Sequence, residues 1–338
     1  MKREKHLRQG VSCNNRNMSP EDSSPGWRFV STAGIALVLI AGGYVVRSSA
    51  LPPVWPQGEP ADEQSYYANA YCVVDLPLPE LLADFPELQG LQPATDQQKL
   101  PKILSGAGQN IEKSYQSLPD IAAEETITQD QYGYNGRVPS TVHSKFGYLI
   151  LVSRGEDAEI LREYRTDAHL KPVESQGGDQ GFPFTKDFAS MWVLLHPDNQ
   201  AQTRFRLLGE QSIGGQNLDV LAFAEQPGRA VVTGRFNAQG ASALLLYQGL
   251  IGIDSAFRIA KMRLDLLSPR LDVALERQTT EIRFGEVHIP GAAAVLWLPQ
   301  EVTVTTVYDG QIFRNRHVYS KFGLFSVNSE ETKPKGTN

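Results

Sequence analysis

From Gln278 to Val327 the chain reads as the last part of an antiparallel meander, with runs in which apolar and polar residues alternate with a period of two. That is the signature of strands with one face in a core and the other in water. Within this stretch Glu301–Tyr308, EVTVTTVY, is separated from Gln311–Tyr319, QIFRNRHVY, by Asp309-Gly310. Asp-Gly between two such runs predicts a two-residue type I′ turn, because both central residues need positive φ. The turn places Tyr308 opposite Gln311, Thr306 opposite Phe313 and Val304 opposite Asn315. Val302, Val304, Tyr308, Phe313 and Tyr319 then share the core face, and Thr303, Thr305, Arg314 and Arg316 face water. Upstream, Ile282 and Phe284 are in phase, but after Gly285 the apolar positions shift to Val287 and Ile289. A glycine at a phase change predicts a bulge, which bends the strand.

Shorter alternating runs precede this meander. Phe146–Arg154 and Glu159–Asp167 flank Gly155-Glu156-Asp157, Phe205–Leu208 and Leu218–Phe223 flank Gly214-Gly215, and Leu244–Ile253 and Phe257–Leu264 flank Asp254-Ser255-Ala256. Three stretches switch to a helical period. Pro79–Phe85 is short. Lys99–Gln116 repeats Leu100, Ile103, Leu104, Ala107, Ile111 and Tyr115 on one face, with Pro101 in its first turn and Pro119 beyond its end. Gly106 and Gly108 weaken it, and they either allow close approach to a sheet or are merely tolerated. Thr185–Leu195 carries the stripe Phe188, Met191, Trp192 and Leu195, with Thr185 as cap and His196-Pro197 at its end. Gly and Pro make up 50 residues, which suits turns and short strands. The expected class is α+β: a strongly curved antiparallel half-barrel of eight to ten strands with helices packed on one face.

The N-terminal part follows other rules. Phe29–Val46 is an uncharged run of 18 residues between Arg28 and Arg47. Six basic residues precede Phe29, and none follows Arg47 until Lys99. The asymmetry predicts a cytoplasmic N-terminus and a periplasmic remainder, the run at 29–46 being either a retained inner-membrane anchor or a signal cleaved near Ala50. The expected organisation is a basic leader at 1–27, the apolar helix at 28–47, a Pro-rich linker at 48–63, a helical region at 64–140, the half-barrel at 145–328 and a polar tail at 329–338.

Composition narrows the chemistry. A net charge of −6 argues against general nucleic-acid binding. Cys13 and Cys72 fall on opposite sides of the apolar run, so no internal disulfide is expected, and Cys72 reads as a small buried hydrophobe. No histidine pair has metalloprotease spacing, although His288 and His317 on nearby strands could meet. There is no Gly-x-Ser-x-Gly elbow and no phosphate-binding loop. Glu159, Arg162, Glu163, Arg165 and Asp167 crowd one run and are expected to form cross-strand pairs on a wet face. No catalytic residue, metal or cofactor is expected.

Three motifs carry a family resemblance: Leu208-Gly209-Glu210 to Ile213-Gly214-Gly215 followed by LDVLAF, then Gly249 to Ile253-Asp254 followed by Phe257-Arg258-Ile259-Ala260-Lys261, then Leu298-Pro299-Gln300-Glu301-Val302. Over 145–327 the chain resembles the LolA/LolB-like periplasmic lipoprotein carriers and outer-membrane lipoprotein-sorting proteins. The resemblance implies an apolar concave face lidded by helices, with an apolar ligand (lipid, lipoprotein acyl chain or hydrophobic segment) between them. Phe188, Met191, Trp192, Leu195, Trp297 and Phe313 are the candidate cavity residues. The alternative is an envelope scaffold with a filled interior and no ligand.

Overall fold

The computed structural model describes residues 66–67, 70–133, 138, 140–154, 159–167, 169, 171–173, 189–230, 233–238 and 241–326. The apolar run at 29–46, the linker, Phe188 and the tail lie outside the described residues. No helix among those described is long and apolar enough to cross a membrane.

The first strands are β1 (Gln92–Pro93), β2 (Ile121–Tyr132), β3 (Ser140–Arg154) and β4 (Glu159–Thr166). After them come β5 (Thr203–Ile213), β6 (Gln216–Glu225), β7 (Gly234–Ala238), β8 (Ala241–Leu245), β9 (Tyr247–Ile253) and β10 (Ile259–Leu266). The last are β11 (Leu275–Val287), β12 (Leu296–Tyr308) and β13 (Gln311–Leu324). The helices are α1 (Leu78–Asp84), α2 (Leu100–Ser117) and α3 (Pro197–Gln200), and a 3-10 segment spans Ala189–Leu195. Eleven strands form one antiparallel sheet in the order β1-β5-β6-β9-β10-β11-β12-β13-β2-β3-β4, and β7-β8 is a separate hairpin.

The β12–β13 hairpin has the expected register: Tyr308 faces Gln311, Thr306 faces Phe313 and Val304 faces Asn315. Asp309 and Gly310 have φ of 48° and 68°, as a type I′ turn requires. Val302, Val304, Phe313 and Tyr319 are buried. Thr303 departs from expectation and is buried too; its cross-strand neighbours Glu281 and Arg316 flank it. The bulge exists, but the extra residue is on the partner strand: Arg283 pairs with Glu301 and Phe284 with Pro299, which leaves Gln300 over. Gly285 makes room for it, since a Cβ there would lie 2.5 Å from the Gln300 amide.

Two expectations change. The region at 64–140 is not all helical, because β2 and β1 lie within it. Nor do the helices keep to one face. One core cluster joins Ile103, Ala107 and Ile111 of α2 and Trp192–Leu195 to Leu221, Phe223, Ile251, Met262, Ile282 and Val302 of the sheet. A second, on the opposite face, joins Val73, Val74, Leu81 and Leu88 to Val220, Ala222, Ala224 and Leu250. β6 is therefore buried on both faces, and its continuous apolar run VLAFA is the sequence trace of that. Backbone polar groups hold the outer layer in place. Val73 N donates to Gln248 Oε1 (2.8 Å), Tyr67 Oη to Leu244 O (2.7 Å), and Gln211 Nε2 to Glu87 O and Gln89 O (2.7 and 2.8 Å). Cys72 is buried within this layer; its relation to Cys13 lies outside the described residues.

Both helix glycines are close approaches. A Cβ on Gly106 would lie 2.5 Å from Phe257 Cγ, and one on Gly108 would lie 2.7 Å from Gln200 Nε2 and 3.1 Å from Leu195 O. Gln200 Nε2 also donates to Leu104 O (2.8 Å) and Leu195 O (2.7 Å), which clamps α2 to the 3-10 segment. Alanine at either position gains roughly 1 kcal/mol of helix propensity but overfills a packed contact at a cost of about 1–3 kcal/mol. Thermal unfolding should show a lower midpoint for Gly106→Ala and Gly108→Ala and no loss for the exposed Lys102→Ala. A rise for both glycine variants would mean that α2 does not pack this closely.

Candidate functional site

The interior has two unlike ends. Beneath the 3-10 segment, Met191, Leu194, Phe223, Tyr247 and Leu264 line a crevice together with the carboxyl of Glu225. Its volume for a water-sized body is about 0 Å³, so this space is filled. Glu225 is fully buried and accepts a hydrogen bond from Tyr247 N (2.7 Å). Trp192 is 3% exposed, and its indole N–H meets no acceptor. An unmade buried hydrogen bond of this kind costs about 1–3 kcal/mol.

The candidate cavity residues do not all converge. Trp192 and Leu195 lie in the apolar cluster, with Met191 packed against it. Trp297 is partly buried at the margin, where its Nε1 donates to Ile259 O (2.6 Å) and Arg258 stacks over its ring at 4.0 Å. Phe313 is buried outside both apolar clusters, on a row with Thr306 and Gln131.

The other end of the interior is polar. Glu125 of β2, His317 and Asn315 of β13, Gln129 of β2 and Thr306 of β12 are at most 2% exposed. Arg165 of β4 reaches over β3 and holds Glu125 with two hydrogen bonds, one of them Nη2 to Oε1 at 2.8 Å. His317 Nδ1 lies 2.9 Å from Glu125 Oε1, and Tyr319 Oη donates to the same oxygen at 3.0 Å. Tyr148 donates to Glu163, and its ring lies 4.8 Å from that of Tyr319. The expectation that Glu163 and Arg165 sit on a wet face is therefore overturned: they are 6% and 7% exposed, on the inner face. The cause is a partner 40 positions away, which no pattern within β4 reveals.

Desolvation alone would raise the Glu125 pKa, but the Arg165 guanidinium and His317 outweigh it and hold the carboxyl at about 2. Burial lowers His317, against the pull of Glu125, whose carboxylate lies against its Nδ1. Desolvation, with Glu163 and Glu125 nearby, raises Tyr148 and Tyr319. No group of three metal-ligating side chains occurs among the described residues. His288 and His317 do not meet, since the first is 75% exposed and the second fully buried.

The chain matches no family model, and no curated protein is similar to it. Solved structures similar to it include a DUF1329 family protein and LolA-superfamily proteins. A DUF1329 family protein from Desulfovibrio piger is 11% identical, with 68% of this chain and 94% of that one covered at a TM-score of 0.38. A putative outer membrane lipoprotein-sorting protein domain from Vibrio parahaemolyticus is 13% identical, with 67% and 94% covered at 0.36. A LolA superfamily protein from Nitrosomonas europaea is 14% identical, with 65% and 94% covered at 0.31.

Both depressed pKa values act in the same direction. A group whose folded pKa lies below its unfolded value contributes stability above the unfolded value and loses it as pH falls. His317 should begin to destabilise the fold below about pH 6.5, and Glu125 between about 4.5 and 2. The unfolding midpoint of the full chain in detergent should fall from pH 7 to pH 5, and fall less in His317→Gln. A midpoint that stays flat from pH 7 to pH 4 would contradict the buried cluster.

Proposed function

We propose that this chain is a non-enzymatic envelope protein that binds an apolar group beneath the 3-10 segment Ala189–Leu195. The observation that carries the reading is the cover itself: a short 3-10 segment over an apolar sheet face, with the Trp192 N–H buried and lacking an acceptor. 3-10 geometry holds its hydrogen bonds less well than an α-helix. A closed state with an unmet donor is less stable than one in which that donor is satisfied. Binding proceeds by displacement of the cover, because the crevice has no volume of its own. The gain is about 25 cal/mol per Å² of apolar ligand surface removed from water. Met191, Trp192 and Leu195 belong to the cover in this reading, Trp297 lies at its margin, and Phe313 is not part of it. The apolar run at 29–46 holds the domain at the periplasmic face of the inner membrane, or releases it to the periplasm if cleaved.

A second reading is favoured by one observation, the filled crevice: a scaffold that works through its surface and takes no ligand. One experiment separates the two. The full chain should take up a fluorescent fatty-acid probe, and Met191→Glu, at a half-buried position lining the crevice, should abolish uptake with the circular dichroism spectrum unchanged. An intact fold without uptake by the parent chain favours the scaffold. A periplasm-active reporter fused after Gln57 should be active, and a silent fusion refutes the location.

A further inference from the structure

The sheet splits where β12 and β13 part. Their ladder ends at Glu301 and Val318. Before Glu301, β12 continues against β11 alone, and after Val318, β13 continues against β2 alone. The split opens a cleft of about 460 Å³ lined by Arg283, Glu286 and His288 from the β11 side, Gln300 from the β12 bulge, and Ser320 and Lys321 from β13. A second bulge shapes its far wall: the β13–β2 register shifts between Ser320 and Gly323, and Lys321 takes a φ of 54°. Bulges of this kind re-aim side chains.

Charge in and around the cleft is unbalanced. Glu301 is shared by Arg283 (2.8 Å) and Arg316 (2.8 Å), and Glu124 by Lys145 (2.7 Å) and Lys321 (3.1 Å). Two carboxylates thus serve four cations, leaving one positive charge over at each group. Arg283 and Lys321, one from each group, face the cleft and are 61% and 72% exposed. Glu286 also lines the cleft, and it shares Arg258 (3.1 Å), just before β10, with Asp254 (2.8 Å), so one negative charge stands against the two cations and the cleft keeps a net positive charge. Gln300 and Ser320 add neutral polar groups to the lining.

We propose that this cleft binds a phosphate-bearing anion, held between Arg283 and Lys321. Guanidinium and ammonium groups on opposite walls match the oxygens of a phosphate or phosphodiester. The chemistry fits a phospholipid headgroup or free phosphate alike. The site is separate from the apolar crevice and does not depend on the apolar-ligand reading.

The test is calorimetric titration of the detergent-solubilised full chain with inorganic phosphate and with glycerophosphoglycerol, the deacylated headgroup of phosphatidylglycerol. Binding of either probe, weakened at least tenfold in Arg283→Gln/Lys321→Gln, supports the site. The tighter of the two identifies the source, free phosphate or lipid headgroup. Both substitutions are at exposed positions, and an unchanged unfolding midpoint confirms that the variant is folded. The proposal fails if neither probe binds, or if the folded double variant binds both as the parent does.

Discussion

The structure depends on one join, the ladder between β13 and β2. It runs from Ile312–Tyr132 to Leu324–Ile121 and brings the last strand of the chain against one nearly 200 residues earlier. Without it, β2-β3-β4 would be a separate meander, and both β2 and β13 would be open edges, which invite pairing with other chains. The join carries the buried cluster on its inner face: Glu125 from β2, His317 and Tyr319 from β13, and Arg165 reaching in from β4. A slip of one residue would turn His317 and Tyr319 away from Glu125. A slip of β2 or β4 against β3 would leave Arg165 buried without its carboxylate, a cost of several kcal/mol. We infer that the ion pair contributes register more than net stability, since a buried pair repays its own desolvation poorly.

The two ends of the interior follow from what covers them. Where α2 and the 3-10 segment lie over β6, β9, β10 and β11, the inner face is Leu, Ile, Phe and Met. Toward the Asp309-Gly310 turn the rows become Gln278–Thr306 and Asn315–Gln129. Phe236 of the β7-β8 hairpin packs on Tyr308 at that end, with ring centroids 5.3 Å apart. The apolar surface of the interior thus lies under α2 and the 3-10 segment, where the space is filled.

Much of the fold was legible in local pattern. Asp309-Gly310 set the final hairpin, the period of Leu100–Tyr115 set α2, and the phase change at Gly285 marked the bulge. What failed to show was strand β2. Its inward positions Ile121, Ala123, Glu125, Ile127 and Gln129 mix apolar and polar residues, so alternation does not mark a core face. The polar half of the interior was hidden for the same reason: charges at Glu163 and Arg165 signal water until the distant Glu125 is known. The filling of the crevice was equally out of reach, because it depends on how Leu194, Phe223 and Leu264 meet across three elements.

The register claim is tested most directly by a double-mutant cycle on Glu125→Gln and Arg165→Met, read by denaturant unfolding of the full chain. Each single variant should lose about 3–5 kcal/mol, because it strands a buried group. The double variant should lose less than their sum by about 2 kcal/mol or more, and should keep the parent's inner-face protection from hydrogen exchange less well than its stability. Losses that add to within about 0.5 kcal/mol would show two uncoupled residues and would contradict a pair that fixes how β4, β2 and β13 meet.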